Sequence, residues 1–511
     1  MQIIDNKALL LKLRHPSKIL NAVPDSRATG DHTVAVKWDV PQVHALRSMN
    51  IPAPSPISGR YNWPGRYTPF DHQRKTAEFL TNHRRAFCFS EMGTGKSAAA
   101  GWAADFLMTR GIVRRALIIC PMSIMDSAWR TDLFNVAMHR KVDIAHGTAA
   151  KRKKVIQSEA EFVIINFDGV EIVEKEIAAG GFDLIIVDEA SAYKRATTKR
   201  WKCLNRLVGP DTWLWMMTGT PAAQGPEDAY GLAKLVNPTA VPRAFGTFRD
   251  MVMFKISQFK WAPKPDATET VHRVLQPAIR YTKEECLDLP DIIYTKRRVE
   301  MTKQQRKYYD ILRKRMLMEA AGEEVTATNA AVKANKLLQV ACGAVYTDDG
   351  EILEFDMKSR YSVLKEVIDE AKNKVLIFVP FQHTIQILAE QLRSDGITAE
   401  VINGKVSANA RTEIFRRFQQ TDEPRVLVIQ PQAASHGVTL TAADTIVWWA
   451  PTASLETYAQ ANARIHRSGQ TNKCTVVQLE GSNIERHIYG LLDNKIDVHS
   501  KIVDLYCKLL D

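Results

Sequence analysis

The sequence predicts an α/β protein with two lobes, each built on a parallel sheet, a helical insertion between them and a small N-terminal accessory domain. Short apolar runs alternate with helical segments from about residue 63 to 240, and the same rhythm returns from residue 372. Nearly continuous apolar strands of this kind are typical of parallel sheets that helices cover on both faces. Residues 241 to about 355 lose the alternation and contain a predicted long helix, Lys303 to Ala321.

The chain divides into four predicted domains. Alternating apolar residues from Thr33 to Trp38 predict a strand in the N-terminal segment, and a proline-rich stretch at 52–56 predicts a linker behind it. We therefore expect an accessory domain whose removal spares the lobes. The alternative is that this apolar segment packs as an integral part of the first lobe. The predicted boundaries are 1–62 for the accessory domain, 63–275 for the first lobe, 276–355 for the helical insertion and linker, and 356–511 for the second lobe.

Ten apolar runs are predicted to be strands of the two sheets. Those of the first lobe are Ala86–Phe89, Ala116–Cys120, Phe162–Ile165, Leu184–Val187 and Trp213–Met217. Those of the second lobe are Lys374–Val379, Glu400–Ile402, Val426–Ile429, Thr445–Trp449 and Thr475–Leu479. Because open α/β sheets hold their ligands at the carboxyl ends of the strands, we expect the binding and catalytic residues to follow these runs.

Composition narrows the class of protein and of partner. The 511 residues are 45% hydrophobic and 25% charged, which is typical of a globular protein with a sizeable core. The 69 lysines and arginines exceed the 57 acidic residues and give a net charge of +12, which favours a polyanionic partner, most simply nucleic acid. The seven cysteines are scattered without a C-x-x-C pair, so we expect a reducing, intracellular compartment and no zinc site. The N-terminus lacks the apolar core of a signal peptide.

A glycine-rich loop follows the first predicted strand of the first lobe and precedes an alanine-rich helix. It reads Met92-Gly93-Thr94-Gly95-Lys96-Ser97. Glycines let a backbone wrap around phosphates, and the amides at the start of the helix point at them. We expect Lys96 to reach the β- and γ-phosphates of a bound nucleotide and the Ser97 hydroxyl to join the Mg²⁺ shell. Ser90 stands where the usual phosphate-loop pattern has its first glycine.

Two adjacent carboxylates, Asp188 and Glu189, end the strand Leu184–Val187. The carboxyl end of a parallel strand is where α/β sheets keep their ligands. We expect Asp188 to hold Mg²⁺, directly or through water, and Glu189 to orient and deprotonate the attacking water. Phosphoryl transfer depends on this positioning and charge neutralisation more than on covalent chemistry.

A basic run in the second lobe, from residue 460 to 470, reads QANARIHRSGQ. Its spacing of four and then three predicts that Gln460, Arg464 and Arg467 share one face of a helix. Guanidinium groups aimed in one direction suit a dense anion, although a solvated basic helix is the alternative for the run taken alone. With a phosphate loop elsewhere in the chain, we expect these arginines to neutralise charge on the transferring γ-phosphoryl group from the other lobe.

These motifs, in this order, resemble those of superfamily-two helicases, and specifically of the Swi/Snf-type double-stranded DNA translocases, over about residues 66 to 500. The resemblance implies two RecA-like lobes that use ATP and Mg²⁺, a helical protrusion at 276–355 before the second lobe, and a C-terminal brace helix at Asn483–Lys495. A compact motor with one small N-terminal domain suggests a phage or bacterial member, or a relative of the HARP-type annealing helicases. Asp188–Ser191 resembles the DEAH-type box with Ser191 in place of the histidine, and His466–Gln470 resembles the hallmark of the sixth motif. Tyr67–Gln73 is similar to the adenine-reading motif, which implies that Gln73 binds adenine.

The same resemblance implies residues that couple the nucleotide to DNA. Thr218-Gly219-Thr220, followed by proline, is similar to the family's coupling motif. The run from Gly437 to Asp444, with Thr439, resembles the fifth motif, although Ala434-Ser435-His436 replaces the usual glycines. Cys120-Pro121 resembles the first DNA-contacting motif. We expect basic clusters to follow the DNA backbone without reading sequence, at Lys151–Lys154, Lys194-Arg195, Lys199-Arg200 and Lys296–Arg298.

The resemblance implies a DNA-stimulated ATPase that translocates on double-stranded or branched DNA and remodels DNA structures or protein–DNA complexes in replication, recombination or repair. We expect a monomer in the bacterial or phage-infected cytoplasm or in a nucleus. Two alternatives stay open: a strand-separating DNA or RNA helicase of the same superfamily, and an ATP-binding DNA scaffold with little turnover. A GTPase is disfavoured, because its N-K-x-D string at 494–497 follows a helical pattern and D-E-A-S replaces the D-x-x-G of that class.

Overall fold

The computed structural model describes residues 1–222, 225–256, 261–286, 288–320, 327–346, 351–434, 438–467 and 469–494. The chain forms two compact units. The first contains residues 1–222 and 226–286, and the second contains residues 223–225 and 287–511. The four domain boundaries drawn from the sequence stay predictions.

The first unit contains a small antiparallel sheet and a larger parallel one. Its strands are β1 (Gln2–Ile4), β2 (Ala8–Lys12), β3 (Ser26–Gly30), β4 (Thr33–Lys37), β5 (Arg85–Cys88), β6 (Ala116–Cys120), β7 (Val142–Ala145), β8 (Phe162–Asn166), β9 (Leu184–Asp188), β10 (Trp213–Met217), β11 (Met253–Lys255), β12 (Trp261–Pro263) and β13 (Ala278–Ile279). The antiparallel sheet has the order β1-β2-β4-β3, and the parallel sheet has the order β13-β5-β10-β9-β6-β8-β7. A separate hairpin pairs β11 with β12.

Helices lie between these strands. They are α1 (Pro16–Ala22), α2 (Val40–Ser48), α3 (Ile57–Arg60), α4 (Asp71–Asn82), α5 (Lys96–Thr109), α6 (Thr131–Val136), α7 (Ala149–Ile156), α8 (Phe167–Ile172), α9 (Glu174–Ala179), α10 (Lys199–Leu207), α11 (Ala229–Val236), α12 (Phe245–Val252), α13 (Ala267–Val274) and α14 (Lys283–Cys286). A short π-helical segment, Met125–Arg130, precedes α6.

Alternate residues of the parallel strands pack into two different cores, one on each face of the sheet. On β9, for example, Ile185 and Val187 belong to one core, and Leu184 and Ile186 belong to the other. This period of two explains why the strands read as continuous apolar runs. The five predicted strands of this lobe are confirmed within one residue of their predicted ends.

The second unit repeats this plan with a six-stranded parallel sheet. Its strands are β14 (Ile292–Arg298), β15 (Ala344–Tyr346), β16 (Ile352–Glu354), β17 (Lys374–Phe378), β18 (Ala399–Ile402), β19 (Val426–Ile429), β20 (Ala443–Trp448) and β21 (Cys474–Glu480). The parallel order is β14-β21-β20-β17-β19-β18, and β15 pairs with β16 as a hairpin. The five predicted strands of this lobe are confirmed within two residues of their predicted ends.

The helices of the second unit are α15 (Lys303–Ala320), α16 (Ala327–Cys342), α17 (Lys358–Glu370), α18 (Gln382–Ser394), α19 (Ala408–Gln420), α20 (Pro431–Ala434), α21 (Leu455–Asn462) and α22 (Asn483–Asp493). The predicted long helix is thus confirmed as α15. The structure also shows that β14, which follows the predicted end of the first lobe, pairs with β21 of the second sheet. The predicted α/β fold class with two parallel sheets is confirmed.

The N-terminal segment packs into the core of the first unit. Val40 and Ile57 are buried in the same apolar cluster as Leu80 and Trp213 of the lobe. His44 Nε2 lies 2.9 Å from the Thr81 carbonyl oxygen. The segment therefore shares a core with the lobe, besides having one of its own around Trp38.

Neither a membrane helix nor a disulfide is found in the described part of the chain. None of the helices traced above is both long and apolar enough to cross a bilayer. The six described cysteines are free thiols, and all but Cys286 are buried.

Candidate nucleotide site

The phosphate loop lies between β5 and α5, as predicted. Gly93 and Gly95 have φ values of 84° and 76°, a region that side chains with a Cβ rarely adopt. A Cβ at Gly95 would also lie 2.0 Å from the Gln73 Nε2 atom. The backbone thus needs both glycines to bend towards the start of α5, where Lys96 and Ser97 are the first helical residues.

Lys96 lies inside the curve of this loop. Its Nζ atom donates to the carbonyl oxygens of Ser90 at 2.7 Å and Glu91 at 3.0 Å. The Thr94 hydroxyl donates to the same Glu91 carbonyl at 2.8 Å. The predicted cofactor-binding residues from Met92 to Ser97 therefore form one turn, with the ammonium group held at its centre.

Ser90, the departure from the usual loop pattern, has a structural partner. Its hydroxyl oxygen accepts a hydrogen bond from the Tyr281 amide at 3.1 Å. The Glu91 amide donates in turn to the Tyr281 carbonyl at 2.9 Å, and the Glu91 carboxylate accepts from the Lys283 amide at 3.2 Å. The loop is therefore tied to the chain that follows β13, which the sequence did not indicate.

Helix α4 closes the other side of the loop with two side chains. Gln73 is buried; its Oε1 accepts from the Phe70 amide at 2.9 Å, and its Nε2 donates to the Thr94 carbonyl at 3.4 Å. His72 Nε2 lies 2.8 Å from the same carbonyl oxygen. The structure thus places Gln73 at the phosphate loop, and its contact with adenine stays a prediction. The structure also adds His72, which sequence reasoning missed because only its neighbour matched a known pattern.

The Asp188 carboxylate is fixed at both oxygens. Oδ1 accepts from the Glu189 amide at 3.0 Å, and Oδ2 accepts from the Trp129 indole at 2.9 Å. Burial raises the pKa of this carboxyl above its ordinary value, while the nearby Lys96 charge and the two hydrogen bonds oppose the rise. A carboxylate close to the loop lysine and held by N–H donors is suited to binding a cation beside phosphates.

Glu189 adopts a left-handed backbone conformation, with φ of 54° and ψ of 53°. This region costs about 1–2 kcal/mol for a residue with a Cβ. Backbone strain of this kind clusters at functional sites, where the surrounding structure enforces it. The conformation supports a functional role for Glu189, and the left-handed backbone itself was not indicated by the sequence.

The predicted coupling motif lies against the phosphate loop. Thr218 follows β10, and its amide donates to the Cys88 carbonyl at 3.1 Å. A Cβ at Gly219 would touch Ser90 and Glu91 at 3.8–3.9 Å, and the Thr220 amide donates to the Thr218 hydroxyl at 3.2 Å. The first unit therefore brings together the loop, the paired carboxylates and this motif.

The prediction that one helix carries Gln460, Arg464 and Arg467 is wrong. Helix α21 ends at Asn462, so Gln460 is helical, whereas Arg464 and Arg467 lie in the turn that follows. The reason is tertiary: the Arg464 carbonyl accepts the Leu440 amide at 3.0 Å and does not continue the helix. The Gln470 side chain also binds the carbonyl oxygens of Ile465 and Ala443, which holds the turn.

The turn nevertheless brings the two arginines together. Arg464 is 2% exposed, and both guanidinium groups donate to the Val438 carbonyl, at 3.2 Å from Arg464 and 3.3 Å from Arg467. Arg467 also donates to the Thr439 hydroxyl at 2.9 Å. Gln460 donates to Glu456 at 3.2 Å. Gly437 and Ser468, which belong to the predicted motifs, lie outside the described residues, as do Lys495–Asp497 of the GTPase-like string.

Several basic residues predicted to follow DNA have internal partners. Arg152 is buried and donates to Asn166, Lys153 pairs with Glu176, and Lys194 pairs with Asp228. Trp448 and Trp449 are fully buried, so they are core residues and are closed to base stacking. Lys151, Lys154, Arg195 and Lys199 are among the exposed members of these clusters and are open to a ligand.

Comparison with known proteins identifies the family. Residues 28–344 match the SNF2-related domain, and residues 359–469 match the helicase conserved C-terminal domain. An "Uncharacterized ATP-dependent helicase MG018" of Mycoplasma genitalium is 26% identical over 423 residues, which cover 80% of this chain and 39% of the relative. The chain therefore spans about two fifths of that relative's length.

A second relative and a solved structure match this chain over similar lengths. "Putative protein p41" of Acyrthosiphon pisum secondary endosymbiont phage 1 is 25% identical over 424 residues, covering 78% of this chain and 88% of the relative. The solved SWI2/SNF2 ATPase core of Sulfolobus solfataricus in complex with double-stranded DNA is 20% identical, with a TM-score of 0.41, and covers 86% of this chain and 94% of that one. Because the SNF2-related match alone covers more than half of the chain, this protein belongs to the SNF2 family of helicase-like ATPases.

Proposed function

We propose that this protein is a DNA-stimulated ATPase that translocates on double-stranded DNA and remodels DNA structures or protein–DNA complexes. The observation that carries the proposal is the arrangement of Lys96 and Asp188 at the carboxyl ends of β5 and β9, with β10 between them and with the lysine charge acting on the carboxyl. A phosphate-binding cation beside a buried carboxylate is the arrangement that phosphoryl transfer requires. Family membership supports ATP as the substrate.

The donor set fits Mg²⁺ held together with nucleotide phosphates. Within the described ranges no three His, Cys, Asp or Glu side chains cluster as a complete metal cage. Mg²⁺ rarely uses such a cage, because it binds through one or two carboxylates and the substrate's phosphates. We propose that Ser97 and Asp188 supply the protein ligands. When bound, the ion would neutralise charge on the phosphates.

Each remaining residue of the site has a proposed task. The loop amides from Met92 to Ser97 bind the phosphates, and Lys96 leaves its carbonyl partners to contact the β- and γ-phosphates. Glu189 orients the attacking water and accepts its proton at the carboxylate. Gln73 binds the adenine edge. The coupling between nucleotide binding in the loop and DNA binding is assigned to Thr218, Gly219 and Thr220.

We propose that Arg464 and Arg467 act on the same nucleotide as arginine fingers, with Gln460 beside them. Their guanidinium groups already converge on one backbone carbonyl, so a γ-phosphoryl oxygen could replace that acceptor with little change in their direction. An arginine that stabilises the charge of the transition state contributes about 10³–10⁵ in rate. Gly437, which lies outside the described residues, and Thr439, which accepts a hydrogen bond from Arg467, are proposed to contact DNA.

We propose that the protein translocates on double-stranded DNA and acts in replication, recombination or repair. The net charge of +12 and the exposed lysines and arginine named above support a polyanion. Phosphate contacts carry no sequence information, so binding should be independent of sequence and should weaken steeply with salt.

The test compares steady-state ATP hydrolysis with duplex DNA, forked DNA, single-stranded DNA and RNA. We expect duplex DNA to stimulate hydrolysis more than single strands, and we expect displacement of a triplex strand without net unwinding of a plain duplex. Efficient separation of a tailed duplex would instead favour a strand-separating helicase. ATP binding with hydrolysis near background under all conditions would favour an ATP-binding scaffold.

A further inference from the structure

We propose that Trp129 is a positioning residue for Asp188, the carboxylate assigned above to Mg²⁺, and this inference rests on the proposed nucleotide site. The Trp129 indole Nε1 donates to Asp188 Oδ2 at 2.9 Å. Trp129 is fully buried, and Asp188 is 8% exposed. The hydrogen bond is therefore shielded from water and holds one oxygen of the carboxylate in a single place.

The partner of this indole distinguishes it from other tryptophans of the same unit. Trp102, Trp201 and Trp215 donate to backbone carbonyl oxygens, at 3.1, 2.8 and 3.2 Å. Those bonds satisfy a polar N–H in a core. Trp129 instead donates to an ionisable side chain, and hydrogen bonds to a charged carboxylate are about twice as strong as those between neutral groups.

The fold delivers Trp129 to this position by an unusual route. Strand β6 pairs with β9 in parallel, so that Ile119 lies opposite Val187 just before the two strands end. Pro121 then ends β6, and the chain turns through the π-helical segment Met125–Arg130, which carries Trp129. Short π-helical segments are rare and occur frequently at functional sites. Here the segment directs a large aromatic side chain to the neighbouring strand end.

Together, two donors define the plane of the carboxylate. The Glu189 amide binds Oδ1 and the Trp129 indole binds Oδ2, which leaves the remaining lone pairs of both oxygens in fixed directions. Partners that orient a metal ligand in this way typically contribute 10–100-fold to metal affinity or activity. Trp129 also lies nine residues after Cys120, in the segment whose start resembles a DNA-contacting motif, so a shift of that segment would move the donor.

Binding of Mn²⁺ and ADP tests this role without relying on hydrolysis. Free Mn²⁺ is measured by electron paramagnetic resonance while the full chain is titrated with Mn²⁺ in saturating ADP. Trp129→Phe keeps an aromatic ring but removes the donor, and we expect it to weaken Mn²⁺ binding about tenfold or more. ADP affinity measured without metal should stay within about twofold of wild type. Trp215→Phe is the matched control, since it removes an equally buried indole whose partner is a backbone carbonyl.

A second variant covers the case in which phenylalanine disturbs the core. Site-specific replacement of Trp129 by 3-benzothienylalanine retains the shape of the indole and substitutes sulfur for the N–H group, so it should show the same loss of Mn²⁺ affinity. Wild-type affinity in this variant, or an equal loss in Trp215→Phe, would overturn the inference. Absence of ADP-dependent Mn²⁺ binding in wild type would instead overturn the nucleotide site itself, and the Trp129 role with it.

Discussion

The phosphate loop of the first unit and the arginine turn of the second are both proposed to serve the same nucleotide, yet they are built differently. The loop is shaped by its backbone: two glycines with positive φ, a helix start, and carbonyl oxygens that hold Lys96. The arginine turn, residues 463–467, is shaped by long side chains, because Arg464, Arg467 and Gln470 each bind carbonyl oxygens of segments distant in sequence.

The loop and the turn therefore differ in how far their geometry is fixed before a ligand binds. A loop set by its own glycines and by the adjoining strand and helix is present before any ligand binds. A turn held by guanidinium groups on a single carbonyl can exchange that partner for another acceptor. We therefore expect changes in the loop to remove nucleotide chemistry altogether, and changes in the turn to affect the rate of transfer more than nucleotide binding.

The largest effect is expected for Lys96→Ala. The change deletes the charge at the centre of the loop while leaving the glycine turn intact, so ATP hydrolysis should fall to background although the protein stays folded. Hydrolysis is measured by phosphate release and folding by thermal melting. Near-normal turnover in a folded variant would contradict the assignment of the loop as the phosphate-binding site.

Arg467→Ala should lower kcat by about 10³-fold or more with little change in KM, since its contact is expected to strengthen in the transition state. The melting temperature should change little, because its bonds to Val438 and Thr439 lie near the surface. Steady-state kinetics with duplex DNA provide the measurement.

Arg464→Ala is a companion variant that tests whether the second arginine also acts in the transition state. Arg464 is 2% exposed, so its loss should lower both kcat and the melting temperature. If either variant raised KM while kcat stayed intact, the arginine would bind nucleotide without acting in the transition state.

Removing residues 1–62 is expected to destabilise the first unit. The sequence predicted a removable accessory domain, but the structure buries Val40 and Ile57 in the lobe core and hydrogen-bonds Ser55 to Glu78 and Thr81. Exposing a buried aliphatic side chain costs about 1.5–3 kcal/mol. A chain that begins at residue 63 should melt several degrees lower or be insoluble. An unchanged melting temperature with retained ATPase activity would show that the segment is a separate module.

The smallest effect is expected for Ser90→Gly, which restores the usual loop glycine. The change removes the hydroxyl that accepts the Tyr281 amide, and losing such a bond costs about 1 kcal/mol. The melting temperature should fall by about 2–4 °C, while ATP hydrolysis stays within a few-fold of wild type. A loss as large as that of Lys96→Ala would mean that the tie to residue 281 is part of the catalytic machinery.

Much of this molecule could be predicted from sequence because its signals are local. The parallel strands are short apolar runs. The glycines and Lys96 lie between β5 and the first turn of α5, and Asp188 and Glu189 lie at the end of β9, so pattern and position coincide. What could not be predicted depends on contacts between distant residues. The end of α21 is set by the bond from Leu440 to Arg464, and the link from Trp129 to Asp188 spans 59 residues. No spacing rule within one element contains that information.

DNA-stimulated ATP hydrolysis is measured for the wild-type chain with and without duplex DNA, alongside Lys96→Ala as the inactive reference. We expect a low basal rate that duplex DNA raises several-fold, stimulation that falls steeply as salt increases, and no hydrolysis by the variant under any condition. A wild-type rate that duplex DNA leaves unchanged at low salt, or equal rates for wild type and variant, would contradict the proposed function.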